Sequence, residues 1–154
     1  MGDAQAARVA AITRRFPGVA GTHFRVTSPE DRGYNCAAWA AGETRRNWHP
    51  SSYGGLYWPG GACDDDLAAW MRAFSTLGYL RCDSHTLEPG VEKVAIYGTA
   101  DFPLHVARQL QTGYWTSKLG PREDVEHELL ALEGEEYGRV LAVLSRTARN
   151  GGDE

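Results

Sequence analysis

Between Glu92 and Gly120 three strand-like runs, EKVAIYG, LHVARQL and YWTSKLG, follow one another with only TADFP and QTG between them. Seven-residue runs rich in Val, Ile, Tyr and Trp suit strands, and linkers of five and three residues permit only antiparallel neighbours. This feature constrains the fold more than any other, because it commits the second half of the chain to a sheet. The later stretch VLAVL, Val140 to Leu144, suits a strand or a helix by composition and is read as a strand.

The first half reads differently. Ala7, Val9, Ala10 and Ile12 predict a short amphipathic helix over 3–15, followed by a turn-rich stretch with a brief strand at His23–Val26. CAAWAAG predicts a short helix from Cys36 closed by Gly42. DDDLAAWMRAFSTLGYL predicts the clearest helix, with Leu67, Trp70, Met71, Phe74 and Leu77 on one face, Asp64 or Asp65 as its cap and Gly78 at its end. Helices first and strands later imply an α+β domain. At 154 residues the chain fits a single domain over 1–150, with 151–154 as a disordered tail.

Composition narrows the function classes. A net charge of −4 disfavours a nucleic-acid binder, which needs clustered Lys and Arg. No run approaches the roughly 20 apolar residues of a membrane span. The N-terminal stretch lacks the basic and apolar regions of a signal peptide, so the expected compartment is the cytoplasm, with secretion as an effector by a signal-less route still open. Three cysteines, at 36, 63 and 82, do not suggest a disulfide framework.

Cys36 is the chemically pointed residue. At the first turn of a helix, free N–H groups and the positive dipole end stabilise a thiolate, which can lower a thiol from about 8.5 to roughly 3.5–7.5. A nucleophile also needs a base, and His105, inside the apolar strand LHVARQL, is the candidate. The next strand offers Thr116 or Ser117 to hold the far nitrogen of that ring. The competing readings are that Cys36 is a small packing residue and His105 a satisfied core histidine. A metal site from Cys63, Cys82 and His85 is the rival chemistry, but without a CxxC pair it needs long-range help. His127, among acids in EDVEHELLALEGEEYG, is read as part of a solvated face. HPSSYGG lacks the Lys of a phosphate loop, and no cofactor or metal is expected.

YNCAAWA, LGY, EKVAIYG, LHVARQL, GYWTSKLG, EHELLALEG and EYGRVLAVLSR together resemble a family of small uncharacterised bacterial proteins, in order from Tyr34 to Arg146. A looser resemblance, in the order of elements, is to papain-like peptidases and amidases of the NlpC-like and CHAP-like groups. That resemblance implies a papain-like α+β domain with a nucleophile helix packed on a small antiparallel sheet. It assigns Cys36 as nucleophile, His105 as base and Ser117 as the group orienting His105, although His, Asn or Gln is usual in that third place. The implied function is a cysteine-dependent peptidase or amidase acting on a peptide or protein through a thioester. Acyl transfer, deamidation or an inactive papain-like binding module are the alternatives. By adjacency, Tyr34 or Asn35 would touch substrate, and the loop Asn47–Gly61, with Trp48, Tyr53, Tyr57 and Trp58, would wall the cleft.

Overall fold

A computed structural model describes residues 3–28, 31, 33–49, 57–59, 65–119 and 122–148. The tail 151–154 and Tyr53 lie outside the described residues. Among the described residues three α-helices, α1 (Asp3–Arg15), α2 (Cys36–Ala40) and α3 (Leu67–Ser75), accompany seven strands. These are β1 (Phe24–Val26), β2 (Leu80–Cys82), β3 (Val91–Thr99), β4 (Phe102–Gln109), β5 (Trp115–Lys118), β6 (Asp124–His127) and β7 (Arg139–Thr147). They form one sheet in the order β1-β6-β5-β4-β3-β7-β2, and every neighbouring pair is antiparallel.

This sheet corrects the expected papain-like domain with a helix packed on a small sheet. The framework is a seven-stranded antiparallel sheet, and the helices are few and short, with only five residues in α2. The expectation counted the brief strand at His23–Val26, the three runs between Glu92 and Gly120, and VLAVL. It missed β2, LRC, and β6, DVEH, in which Arg81 donates to the Leu141 carbonyl and Asp124 takes the Tyr34 hydroxyl, both partners distant in sequence.

Period-two alternation sorts the central strands between two cores. Val94 and Ile96 of β3 and Val106 of β4 face a cluster with Ala37, Ala38, Trp70 and Phe74 of α2 and α3. Ala95, Tyr97 and Ala107 face the other way, into a cluster with Ile12, Phe16, Trp115, Leu119, Val125 and Tyr137. Burial on both faces explains why KVAIYG reads as an uninterrupted apolar run. On α3, Asp66, rather than Asp64 or Asp65, supplies the cap, accepting from Ala69 N–H at 2.8 Å. Asp65 instead accepts from the Trp70 indole at 2.8 Å, and Asp64 lies outside the described residues. Gly42 (φ +86°) closes α2 as the sequence implies. No helix among the described residues is long and apolar enough to cross a membrane.

Just beyond the last β3–β7 pair, Gly98↔Arg139, Gly138 (φ +73°) packs so tightly that a Cβ would lie 2.2 Å from Gly98 O. At Gly42 the backbone is equally left-handed, but a Cβ would meet nothing within 4 Å. Both Ala substitutions incur the left-handed backbone cost, and only Gly138→Ala adds overpacking, worth about 1–3 kcal/mol. Urea denaturation should therefore give a lower midpoint for Gly138→Ala than for Gly42→Ala; equal midpoints would contradict the packing described.

Candidate active site

The site forms where β4 and β5 part. These strands pair only at Arg108↔Thr116 and Gln109↔Trp115, so β4 has no β5 partner at His105 and Val106. Helix α2 packs across both strands at this opening, tied to β5 by the Trp39 indole donating to Thr116 Oγ1 at 3.0 Å. Asn35 caps the helix through Ala38 N–H (3.2 Å), which sets Cys36 in the first turn. The Cys36 sulfur meets backbone N–H groups of Val106, Ala37 and Cys36 itself, all favouring a thiolate. Burial outweighs them and pushes the thiol up to about 11. The depressed thiol expected of a helix N-terminus is therefore not what the structure gives, and the resting group is a neutral thiol.

His105, Ser117 and His127 stand in a polar row on the opposite face of the sheet, all with no exposed surface. His105 Nε2 lies 2.9 Å from Ser117 Oγ, across the gap between β4 and β5. Ser117 Oγ lies 2.7 Å from His127 Nε2 on β6, and His127 Nδ1 lies 2.8 Å from the Glu128 carbonyl. Burial holds His105 well below the usual imidazole range, with the nearby His127 adding to that. Burial likewise lowers His127 to about 4, although the Glu128 carbonyl and Glu126 oppose it. Tyr137 stacks on the His105 ring with centroids 4.0 Å apart and planes 4° from parallel. One polar atom of the row, His105 Nδ1, is buried with no hydrogen-bond partner. Leaving such an atom unsatisfied costs about 1–3 kcal/mol.

The sequence placed Cys36, His105 and Ser117 in one site. The structure joins His105 to Ser117, and sets Cys36 beside the neighbouring residue on β4, approaching from the helix face. No hydrogen bond links Cys36 to His105 Nδ1.

His127, expected on a solvated face, is instead fully buried and completes the row. Its period-two relation to buried Val125, inside an otherwise acidic stretch, was the available signal.

The proposed substrate contacts are engaged in the framework. Tyr34 donates to Asp124 Oδ2 at 2.8 Å, and Asn35 uses both ends of its amide on Trp48 and Ala38. Trp48 and Trp58 are buried in the helix-side core, while Tyr57, half-exposed, lies beneath the Arg46 guanidinium at 3.5 Å. Among the described residues no three His, Cys, Asp or Glu side chains converge as a metal site would require. Cys82 Sγ faces Ser84 O at 3.4 Å, and Cys63 lies outside the described residues.

Residues 25–145 match the domain of unknown function DUF7689, and the chain belongs to that family. This agrees with the resemblance to an uncharacterised family; the papain-like resemblance gains no such match. No curated protein and no solved structure shows significant similarity to the chain.

The buried imidazoles tie stability to pH. His127 has a folded value of about 4, below its usual 6.5, so the folded state resists its protonation. Its contribution is complete above pH 6.5 and is lost as pH falls towards 4 and below, by about 3 kcal/mol in all. His105, shifted the same way, adds to the loss. Urea midpoints measured from pH 8 to pH 4 should fall steeply for the wild type and less steeply for His127→Gln. Parallel curves would show that His127 is not buried neutral.

Proposed function

We propose that this DUF7689 domain is a cysteine-dependent hydrolase of amide bonds in a peptide or protein. The observation that carries the reading is the unpartnered His105 Nδ1, buried at the strand opening where β4 also meets the Cys36 sulfur. The nitrogen is geometrically open to a proton from a group that moves in to meet it, and substrate binding has to offset the burial that keeps the imidazole neutral at rest. Cys36 is partly exposed as a residue, but its thiol is enclosed, as is the His105 imidazole. A substrate carbonyl would reach the sulfur only as the Cys36 side chain turns out to meet it.

In the reaction, the Cys36 and His105 side chains would first have to meet across the strand opening; the thiol then gives its proton to His105 Nδ1 as sulfur bonds to the carbonyl carbon. The imidazolium returns that proton to the departing amine, leaving an acyl thioester on Cys36. Water then adds with His105 again as base, releasing the acid and the free thiol. The N–H groups around the sulfur also stand near the developing oxyanion. Because the thiol is held up at about 11, the mechanism is general-base activation at the moment of attack and not a standing thiolate–imidazolium pair. Acyl transfer or deamidation would share the first half of this sequence.

A second reading is favoured by that raised thiol and the missing hydrogen bond to His105: a binding module in which Cys36 only packs. An activated acyl ester separates the two. Intact-mass and peptide mapping after brief exposure to p-nitrophenyl acetate should find the acyl group on Cys36. The adduct should vanish in Cys36→Ala and form roughly 10²–10⁴-fold more slowly in His105→Ala. Labelling of Cys36 no faster than that of Cys63 and Cys82, and indifferent to His105→Ala, would favour the packing role.

A further inference from the structure

The direction of every hydrogen bond in the polar row follows from one atom. The Glu128 carbonyl can only accept, so His127 Nδ1, 2.8 Å away, carries a hydrogen and donates it. A neutral His127 with Nδ1–H presents Nε2 as an acceptor, and Ser117 Oγ–H must donate into it at 2.7 Å. Having committed its one hydrogen, Ser117 receives the contact at 2.9 Å as an acceptor, so His105 carries its hydrogen on Nε2. Neutral His105 then has a bare lone pair on Nδ1, the atom left without a partner. The opposite polarity would require a doubly protonated His127, and burial opposes that charge.

We infer that His127 is a positioning residue, which acts through the Ser117 hydroxyl to hold His105 as the Nε2–H tautomer and keep Nδ1 free as the base. The use made of that lone pair rests on the hydrolase reading above; the tautomer itself does not. Ser117 alone is indifferent, because a hydroxyl donates or accepts with equal ease and would satisfy either form of His105. The second imidazole removes that freedom. Tyr137, stacked flat on the His105 ring, holds the ring plane while the relay sets the proton.

Substituting His127 by Leu leaves Ser117 no acceptor on the β6 side. Its hydrogen then turns towards His105 Nε2, which drives the His105 proton to Nδ1 and abolishes the base. In His127→Gln, a side-chain carbonyl accepts again and the original polarity returns. Ser117→Ala keeps both rings but breaks the bridge, and should leave His105 a mixture of tautomers.

Nitrogen-15 NMR of the imidazole side chains reads these states directly at pH 7, without a substrate. The expected result is the Nε2–H form of His105 in wild type and His127→Gln, Nδ1–H in His127→Leu, and both forms in Ser117→Ala. If His127→Leu does not fold, Ser117→Ala and His127→Gln decide the matter. An Nδ1–H tautomer in wild type, or an unaltered single Nε2–H form in Ser117→Ala, overturns the inference. Acylation of Cys36 by p-nitrophenyl acetate, followed in parallel, should slow at least roughly 10²-fold in His127→Leu and recover to within about tenfold of wild type in His127→Gln. Tautomers that shift as stated in a protein whose Cys36 is never acylated would sustain the relay and remove the hydrolase reading. Acylation that proceeds unchanged in folded His127→Leu would overturn the relay and leave the hydrolase reading standing.

Discussion

One hydroxyl, Ser117 Oγ, joins two imidazoles that have no other means of being buried together. On either side of it stand His105 and His127, each fully enclosed, at 2.9 and 2.7 Å. Two uncharged histidines in a sheet interior are acceptable only while their nitrogens are satisfied, since each abandoned polar atom costs about 1–3 kcal/mol. The bridge spans β4, β5 and β6 where β4 and β5 have stopped pairing, so side chains take over a junction that the backbone ladder leaves open. The opening is also where α2 brings Cys36 against the β4 backbone. Fold and candidate chemistry thus depend on the same few atoms.

The surrounding sheet makes this burial possible. Trp115, Leu119 and Val125 flank the row on its own face, and Tyr97 and Tyr137 close over His105. Other polar groups of the sheet are buried on the same terms. Lys93 reaches the carbonyls of Ser84 and Thr86 at 2.6 and 2.9 Å and pairs with Glu88 at 2.8 Å, and Lys118 donates to the Arg122 carbonyl beside the Tyr34 ring. Only at His105 Nδ1 does the polar row stop short of a partner. Among the described residues Arg108 Nε, Gln109 Oε1 and Asp124 Oδ1 on the same strands are buried without a partner too; the hydrolase reading proposed above gives a use to His105 Nδ1 alone.

Strands buried on both faces announced themselves in the sequence. KVAIYG, HVA and YWTS needed no partner to be recognised, and the short turns fixed their antiparallel order. Strands whose inward side chains are polar did not. DVEH looks like a solvated face until Asp124 is seen to take the Tyr34 hydroxyl, 90 residues away in sequence, and Glu126 to take His23 and Arg25. Such satisfaction is non-local and leaves no periodic trace. The same limit applied to the site: His105 and Ser117 were legible as a pair on consecutive strands, while His127 was hidden by its acidic neighbours. Tyr34, Asn35 and Trp48 lay near the cysteine in sequence, and adjacency suggested substrate contact. Their hydrogen bonds and burial tie them into the framework around the helix that carries Cys36.

The central claim is that sulfur and imidazole meet at the strand opening when a carbonyl arrives. A crystal structure of the protein treated with a peptide aldehyde tests this most directly, because the aldehyde traps the nucleophile as a thiohemiacetal. The account predicts a covalent bond from Cys36 Sγ and His105 Nδ1 within about 3–3.5 Å of the reacting centre. An unmodified Cys36 under saturating aldehyde, or an adduct with His105 still turned away on the far face of the sheet, would contradict it.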